Sequence, residues 1–471
     1  MKKFSITDLA RITKAHPINR VSRIEYRESN FTGVSIDSRT TKAGDCFFAI
    51  PGENFDGHDY VSDALAKGAV CAVVSRDIEG KKFTGNYLLK VEDTIKALGD
   101  LARVSRRQAG FKVIAITGSV GKTTTRHIAY HVLSRHFRVF QSPKNFNNNI
   151  GLPLTLLGAD PEDQIVIAEL GSNHPGEIAY LTRIALPDIA VVTNVHPAHL
   201  EGFGDLQTII KEKLSIAEGL AGDGILIINA DFNQLTDTCR AKGIRVVTFG
   251  KSDNANYQAR NITSDGLSSR FTIDGTEVYL PLPGPGNVEN ALAACAVCSQ
   301  LGLTVDDFTQ AVSAEEGLSP VSMRAELLQI GTLTVLNDCY NANPASMKNA
   351  LDMLVNLGST QKRRLVFICG DMAELGWQAE MLHAELGESI AKAGVQLLLT
   401  IGKFAKITAQ AAKRTADSIR HDLQIECFED TLSACNNLKN FIKDYDIILV
   451  KGSRAAKLEV VVEKLKTQNA L

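Results

Sequence analysis

Short apolar runs that stop at glycine or polar residues recur along this chain, and between them apolar residues fall at helical spacing. The order of these runs predicts the architecture. Strand-like runs at residues 33–36, 46–50 and 69–74, with a helix marked by Val61, Ala64, Leu65 and Ala69, make a small N-terminal α/β unit. From about residue 108 the alternation becomes regular. Buried-strand candidates at 113–117, 165–170, 189–193, 225–229 and 246–249 are separated by helical segments, the signature of a parallel sheet covered by helices. Beyond residue 319 the pattern restarts, with strands at 333–336, 365–369, 397–401 and 447–450 in a second, smaller doubly wound unit. The expected fold class is α/β in three domains, at 1–107, 108–319 and 320–471.

Bulk properties agree with that division. A chain of 471 residues suits about three domains of roughly 150 residues each. Hydrophobic content of 44% and charged content of 22% are those of an ordinary globular protein with sizeable cores. A net charge of −2 gives no electrostatic case for nucleic acid or an anionic membrane. The N-terminus meets charged residues too early for a signal peptide, and no apolar run approaches the ~20 residues of a membrane span. A cytoplasmic monomer is expected. The nine cysteines are scattered; Cys295 and Cys298 form a C-x-x-C inside an alanine-rich helical run at 290–298 and read as small core residues.

The stretch that organises the chain is Lys112 to Thr125. Apolar residues 113–117 lead into Gly118-Ser119-Val120-Gly121-Lys122-Thr123-Thr124, and a helical pattern follows over 126–133. Strand, glycine loop and helix in that order suit a phosphate cradle: glycines let backbone N–H groups approach an anion, the helix N-terminus adds its dipole, and Lys122 adds a mobile charge. The Thr123 hydroxyl can ligate the accompanying Mg2+. The longer pattern G-x-x-x-x-G-K-[ST] is incomplete, because Ile116 stands where its first glycine belongs. An ordinary strand-to-helix turn with a solvated lysine is the competing reading.

Glu169 ends an apolar strand, where a carboxylate is costly unless it meets a cation. His196 and His199 share the next strand-end loop and could bind metal or simply lie at the surface. The amphipathic run 208–216 carries Lys211 and Lys213, for which a solvent-facing position is the default. Three later clusters complete the set: Gly286-Asn287-Val288-Glu289-Asn290 at a helix start, Arg324, and the polar loop Asp338-Cys339-Tyr340-Asn341-Ala342-Asn343-Pro344-Ala345-Ser346 after a strand.

These motifs occur in order with Asn147-Asn148-Asn149-Ile150-Gly151, His199-Leu200-Glu201-Gly202, Gly370-Asp371-Met372-Ala373-Glu374-Leu375-Gly376 and Lys451-Gly452-Ser453-Arg454. Together they resemble the Mur ligases of peptidoglycan synthesis over nearly the whole chain, with Tyr340 to Pro344 most like the members that add a D-alanyl-D-alanine dipeptide. The resemblance implies an N-terminal domain for a UDP-sugar, a central ATPase domain and a C-terminal Rossmann-like domain for the incoming amine. It implies ATP-dependent joining of D-alanyl-D-alanine to UDP-N-acetylmuramoyl-tripeptide through an acyl phosphate.

By the same resemblance, Gly118, Ser119, Val120, Gly121, Lys122, Thr123 and Thr124 wrap the ATP phosphates. Thr123 and Glu169 hold one Mg2+; Glu169, His199 and a CO2-derived carbamate on Lys213, rather than Lys211, hold a second. Asn287 and Asn290 lie by the adenine, Arg324 by the γ-phosphate and Asp338 by the ribose. Ser38, Arg39 and Asn148 are expected at the UDP-substrate, and Tyr340, Asn341, Asn343 and Ser346 at the dipeptide. Lys122, Lys213, His199 and Arg324 form the expected catalytic set. Relatives commonly have histidine where this chain has Gly286, and the role of 451–454 stays open. A ligase of this fold for another amine, a folylpolyglutamate synthetase among them, is the near alternative, although the Asp-Asn-Pro-Arg stretch of the diaminopimelate-adding enzyme is absent. A non-catalytic nucleotide-binding partner protein is the distant one.

Overall fold

The protein is described by a computed structural model covering residues 3–18, 29–78, 87–314 and 318–468. Its centre is a seven-stranded, wholly parallel sheet. The strand order is Tyr257–Gln258, Val246–Gly250, Ile225–Asn229, Ile189–Val192, Lys112–Thr117, Ile165–Glu169, Val139–Gln141. Successive residues of each inner strand feed opposite cores. Val113, Ala115, Val166, Ala168, Ala190 and Val192 face one cluster; Ile114, Ile116, Ile165, Ile167, Ile189 and Val191 face the other. Burial on both faces is why these strands read as unbroken apolar runs instead of alternating ones. After Lys112–Thr117 the chain crosses to the far edge strand Val139–Gln141, returns, and then continues on the other side. The carboxyl end of Lys112–Thr117 is therefore a topological switch point, where such sheets leave a crevice.

The N-terminal unit is a five-stranded sheet, in the order His16–Pro17, Tyr87–Lys90, Cys71–Val74, Asp45–Phe48, Gly33–Ser35. Its helix Thr94–Gln108 buries Leu98, Leu101 and Ala102 in the same cluster as the central strands, and Arg106 ties it to Asp188 at 2.8 Å. The C-terminal unit has six strands, Glu326–Ile330, Leu333–Asn337, Ile447–Lys451, Leu365–Gly370, Leu397–Ile401 and Gln424–Phe428, parallel except for the first pair. It too has a core on each face. No helix among the described residues is long and apolar enough to cross a membrane.

The expected alternation of strands and helices over 108–319 holds as far as residue 258 and is then interrupted. Arg260–Ser264, Ser269–Ile273 and Thr276–Leu280 form a separate antiparallel sheet. Its second hairpin turns on Asp274 and Gly275, both at positive φ (50° and 86°), the geometry of a tight two-residue turn. The helix at 126–133 begins earlier, at Lys122, and that at 208–216 spans Leu206–Leu214. Cys295 and Cys298 are buried inside the helix Pro285–Gln300, and burial pushes the Cys295 thiol up to about 12, as inert core residues require.

Candidate active site

The phosphate-loop geometry follows from two glycines. Gly118 has φ 148°, and a Cβ there would lie 2.0 Å from Thr193 Oγ1. At Gly121 φ is 85°, and a Cβ would lie 2.1 Å from Asn290 Oδ1. Neither position tolerates a side chain. Asn194 shapes the loop from the next strand end, its carbonyl accepting from Ser119 N–H (3.1 Å) and its Oδ1 from Val120 N–H (2.9 Å). Those two N–H groups are thereby spent inside the fold, although Ser119 and Val120 still line the cavity described below. The N–H groups of Gly121, Lys122, Thr123 and Thr124 precede the first intrahelical bond (Thr125 N–H to Gly121 O, 2.8 Å) and form the cradle. Lys122 folds back over it, its Nζ donating to Gly118 O at 2.7 Å.

Behind the loop sits Glu169, 1% exposed. It accepts from Thr123 Oγ1 at 2.8 Å and Asn147 Nδ2 at 3.0 Å, with Arg126 at 3.9 Å. Burial pushes its carboxyl up, but Lys122, Arg324, Arg126 and the Asn147 hydrogen bond together hold it below the usual range. An ionised carboxylate beside a hydroxyl at the cradle is the hard-oxygen donor pair that suits Mg2+. Arg126 escaped the sequence reading; it is buried, donates to the carbonyls of Ser142 (2.5 Å) and Lys144 (3.0 Å), and so holds the chain leading to Asn147.

Lys213 overturns its default. It is 2% exposed, its Nζ donates to Ser172 Oγ at 2.8 Å and lies 5.5 Å from the centre of the Phe203 ring. Burial, with help from Lys122, lowers its pKa to about 7. Lys211, by contrast, is exposed. The neighbouring Glu212 is also buried and caps the helix Glu177–Ala185, accepting from Gly176 and Ile178 N–H at 2.7 and 2.8 Å. The two histidines part company. His196 packs edge-on against Phe232 at 5.0 Å, and burial drops its pKa to about 4. His199 adopts φ 51° and turns Nδ1 to the carboxylate of Glu374, while Nε2 has no hydrogen-bond partner among the described residues.

The C-terminal domain closes the site. A cavity of about 1020 Å³ is lined by Ser119 to Thr124, Glu169 and His199 on one side, and by Arg324, Asp338, Tyr340, Asn341 and Lys451 on the other. The Arg324 guanidinium lies 4.1 Å from the centre of the Tyr340 ring. Asp338 accepts from Ala325 N–H at 3.0 Å and from Lys451 Nζ, which also donates to Asn341 O at 3.0 Å. Lys451 thus braces the polar loop from the tip of its own buried strand. Asn343 and Ser346 form a reciprocal capping box for the helix Pro344–Gln361, so their side chains chiefly set where that loop ends.

Asn287, Asn290, Asn148, Asn343 and Ser346 also line this cavity. Asn148 uses its Oδ1 on Gly151 N–H at 2.8 Å. Asn349 from the helix Pro344–Gln361 fills the space beside Gly286, its Nδ2 lying 3.1 Å from where a Cβ would be. Gly118 and Lys213 stand behind the lining, and Ser38 and Arg39 lie outside it. Arg39 is spent on Asp37, its Nε and Nη2 donating to the carboxylate at 2.7 to 3.2 Å, which pulls that carboxyl down to about 2.

Comparison with known proteins follows the same division of the chain. Family models match in three places: the Mur ligase family catalytic domain at residues 30–106, the Mur ligase middle domain at 116–298, and the Mur ligase glutamate ligase domain at 323–454. The UDP-N-acetylmuramoyl-tripeptide–D-alanyl-D-alanine ligase of Bacillus subtilis is 34% identical over 466 residues, 98% of this chain and 97% of the relative. Its namesake from Escherichia coli is 37% identical over 442 residues, 92% and 93% of the two chains. Among solved structures, MurF from Acinetobacter baumannii superposes with a TM-score of 0.87 at 29% identity, covering 99% of each chain. MurF ligase from Thermotoga maritima, in complex with ADP, does so with 0.78 at 27% identity, covering 93% of this chain and 98% of that one. With its three family-model matches and full-length likeness to these relatives, this chain belongs to the Mur ligase family.

Proposed function

We propose that this protein is the cytoplasmic, ATP-dependent ligase that joins D-alanyl-D-alanine to UDP-N-acetylmuramoyl-tripeptide, releasing ADP and phosphate. One observation carries the reading: the cradle at Gly121 to Thr124 and the Tyr340–Asn341 loop face each other across a single cavity. A carboxylate and an amine do not condense unaided in water. Transfer of the γ-phosphoryl group to the tripeptide's terminal carboxylate gives an acyl phosphate, which the dipeptide amine attacks; the tetrahedral adduct then expels phosphate. The helix N-terminus and Lys122 receive the triphosphate, and Arg324 approaches from the opposite wall, so charge developing between them meets cations from both domains.

Thr123 and Glu169 would hold one Mg2+, and Glu169, His199 and Lys213 as its carbamate a second. Bound there, the metal would neutralise phosphate oxygens and polarise the carboxylate. A lysine whose pKa is about 7 is substantially a free amine at neutral pH, and only the free amine adds to CO2. The carbamate then supplies an anionic oxygen in place of a repelled ammonium. Asn287, Asn290 and Asp338 would meet the nucleoside, Tyr340 and Asn341 the dipeptide, and Ser38, Arg39 and Asn148 the UDP-substrate.

Phosphate release from purified protein, with ATP, UDP-N-acetylmuramoyl-tripeptide and D-alanyl-D-alanine each omitted in turn, tests the assignment. Turnover should need all three. Equal turnover with free lysine or meso-diaminopimelate in place of the dipeptide would overturn it.

A further inference from the structure

The Gly370 to Gly376 loop is held rigidly within the C-terminal domain. The Asp371 carboxylate accepts from Lys403 and Phe404 N–H at 2.7 and 3.1 Å, and its carbonyl accepts from Ser453 N–H at 2.8 Å. Met372 N–H donates to His383 Nε2 at 3.0 Å, and Met372 and Leu375 are buried. What this frame presents outward is Glu374, at φ 60°. Its carboxylate meets His199 Nδ1, and its carbonyl accepts from Glu201 N–H at 3.1 Å. Among the described residues, this is the only hydrogen bond joining side chains of the central and C-terminal domains. Both partners are non-glycine residues in the left-handed region, a conformation kept only where the surroundings enforce it.

An ionised carboxylate can only accept, so His199 presents Nδ1–H to it, and in the neutral imidazole that tautomer leaves the lone pair on Nε2. A carboxylate that fixes a histidine's tautomer and ring orientation raises its worth as a metal ligand. Here the carboxylate arrives on a different domain. We propose that Glu374 is a positioning residue that sets the His199 ring for metal only when the central and C-terminal domains close, so that the second metal site and domain closure are linked. By reciprocity, metal at His199 favours the closed form as much as closure favours the metal. This inference rests on His199 being a ligand of the second metal.

The test uses the full chain with Mn2+ as the probe, saturating ADP and UDP-N-acetylmuramoyl-tripeptide. Electron paramagnetic resonance titration counts bound ions, and small-angle scattering reports closure. The parent should bind two ions per chain. Glu374→Ala should weaken the second by about 10- to 100-fold and need correspondingly more Mn2+ to reach closed dimensions. Glu374→Gln, whose amide oxygen can accept the same N–H, should recover part of both, and His199→Ala should lose the second ion. If His199→Ala keeps two ions at parental affinity, the ligand assignment itself falls. If His199→Ala loses the ion while Glu374→Ala binds it as the parent does, the assignment stands and the linkage is refuted, whether or not Glu374→Ala alters the dimensions.

Discussion

Replacing Lys213 with methionine should abolish ligase activity and yet make the protein more stable at neutral pH. The lysine sits 2% exposed, with one hydrogen bond to Ser172 and the Phe203 ring beside it. Its pKa falls from 10.5 to about 7, chiefly through burial. The unfolded chain therefore binds this proton more tightly between about pH 7 and 10.5, and the parent's stability rises with pH across that window. A tenfold change in proton affinity is worth about 1.4 kcal/mol, so keeping the group folded costs about 4 kcal/mol at pH 7 and almost nothing above pH 10.5. Methionine is of similar length, carries no charge, and leaves only the Ser172 hydroxyl short of a partner, a loss of about 1 kcal/mol. The net gain at pH 7 is then about 3 kcal/mol. Urea unfolding followed by circular dichroism, in CO2-free buffer with chelator, would measure it. The variant's advantage should shrink steadily as pH rises from 7 toward 10. A variant less stable at every pH, or a difference indifferent to pH, would refute the picture of a strained, proton-shedding amine.

Gly121→Ala should weaken ADP binding by about tenfold or more, since left-handed strain costs about 1–3 kcal/mol and the new methyl would press on Asn290; isothermal calorimetry would read it. Lys451→Met should lower C-terminal domain stability by about 3–5 kcal/mol, the scale of a broken buried ion pair, and raise the KM for the dipeptide by loosening the loop held through Asp338 and Asn341. Trp377, the single tryptophan, is already exposed in the folded chain, so urea unfolding followed by circular dichroism is the measurement for the stability loss.

The legible parts share one property: their signal is local. The strand Lys112–Thr117, the two glycines and the helix after them are contiguous, and each residue's backbone demand shows in its type. Glu169 could be picked out because a carboxylate at the tip of an apolar strand needs a cation nearby. Lys451 ends the apolar strand Ile447–Lys451 in the same way, and the logic that singled out Glu169 applies to it equally. The antiparallel hairpin also had its local mark in Asp274-Gly275, flanked by the alternating Ser269–Ile273, but the regular alternation around it drew the segment into the wrong pattern.

Other features had no local mark. A lysine on an amphipathic helix reads as solvent-facing, and only the packing of Leu206–Leu214 buries Lys213. Arg126 lies one turn beyond the cradle and gains its place from carbonyls 16 and 18 residues away. The pairing of His199 with Glu374 spans 175 residues and two domains.

By itself, then, the sequence determined the three α/β units, the phosphate cradle and the family, because backbone conformation and strand burial are dictated by neighbouring residues. Only the tertiary structure decided which lysine is stripped of water, which carboxylate meets which cation, and that the C-terminal domain faces the cradle. Those outcomes depend on desolvation and on Coulomb interactions between groups distant along the chain, and neither is a property of any short stretch.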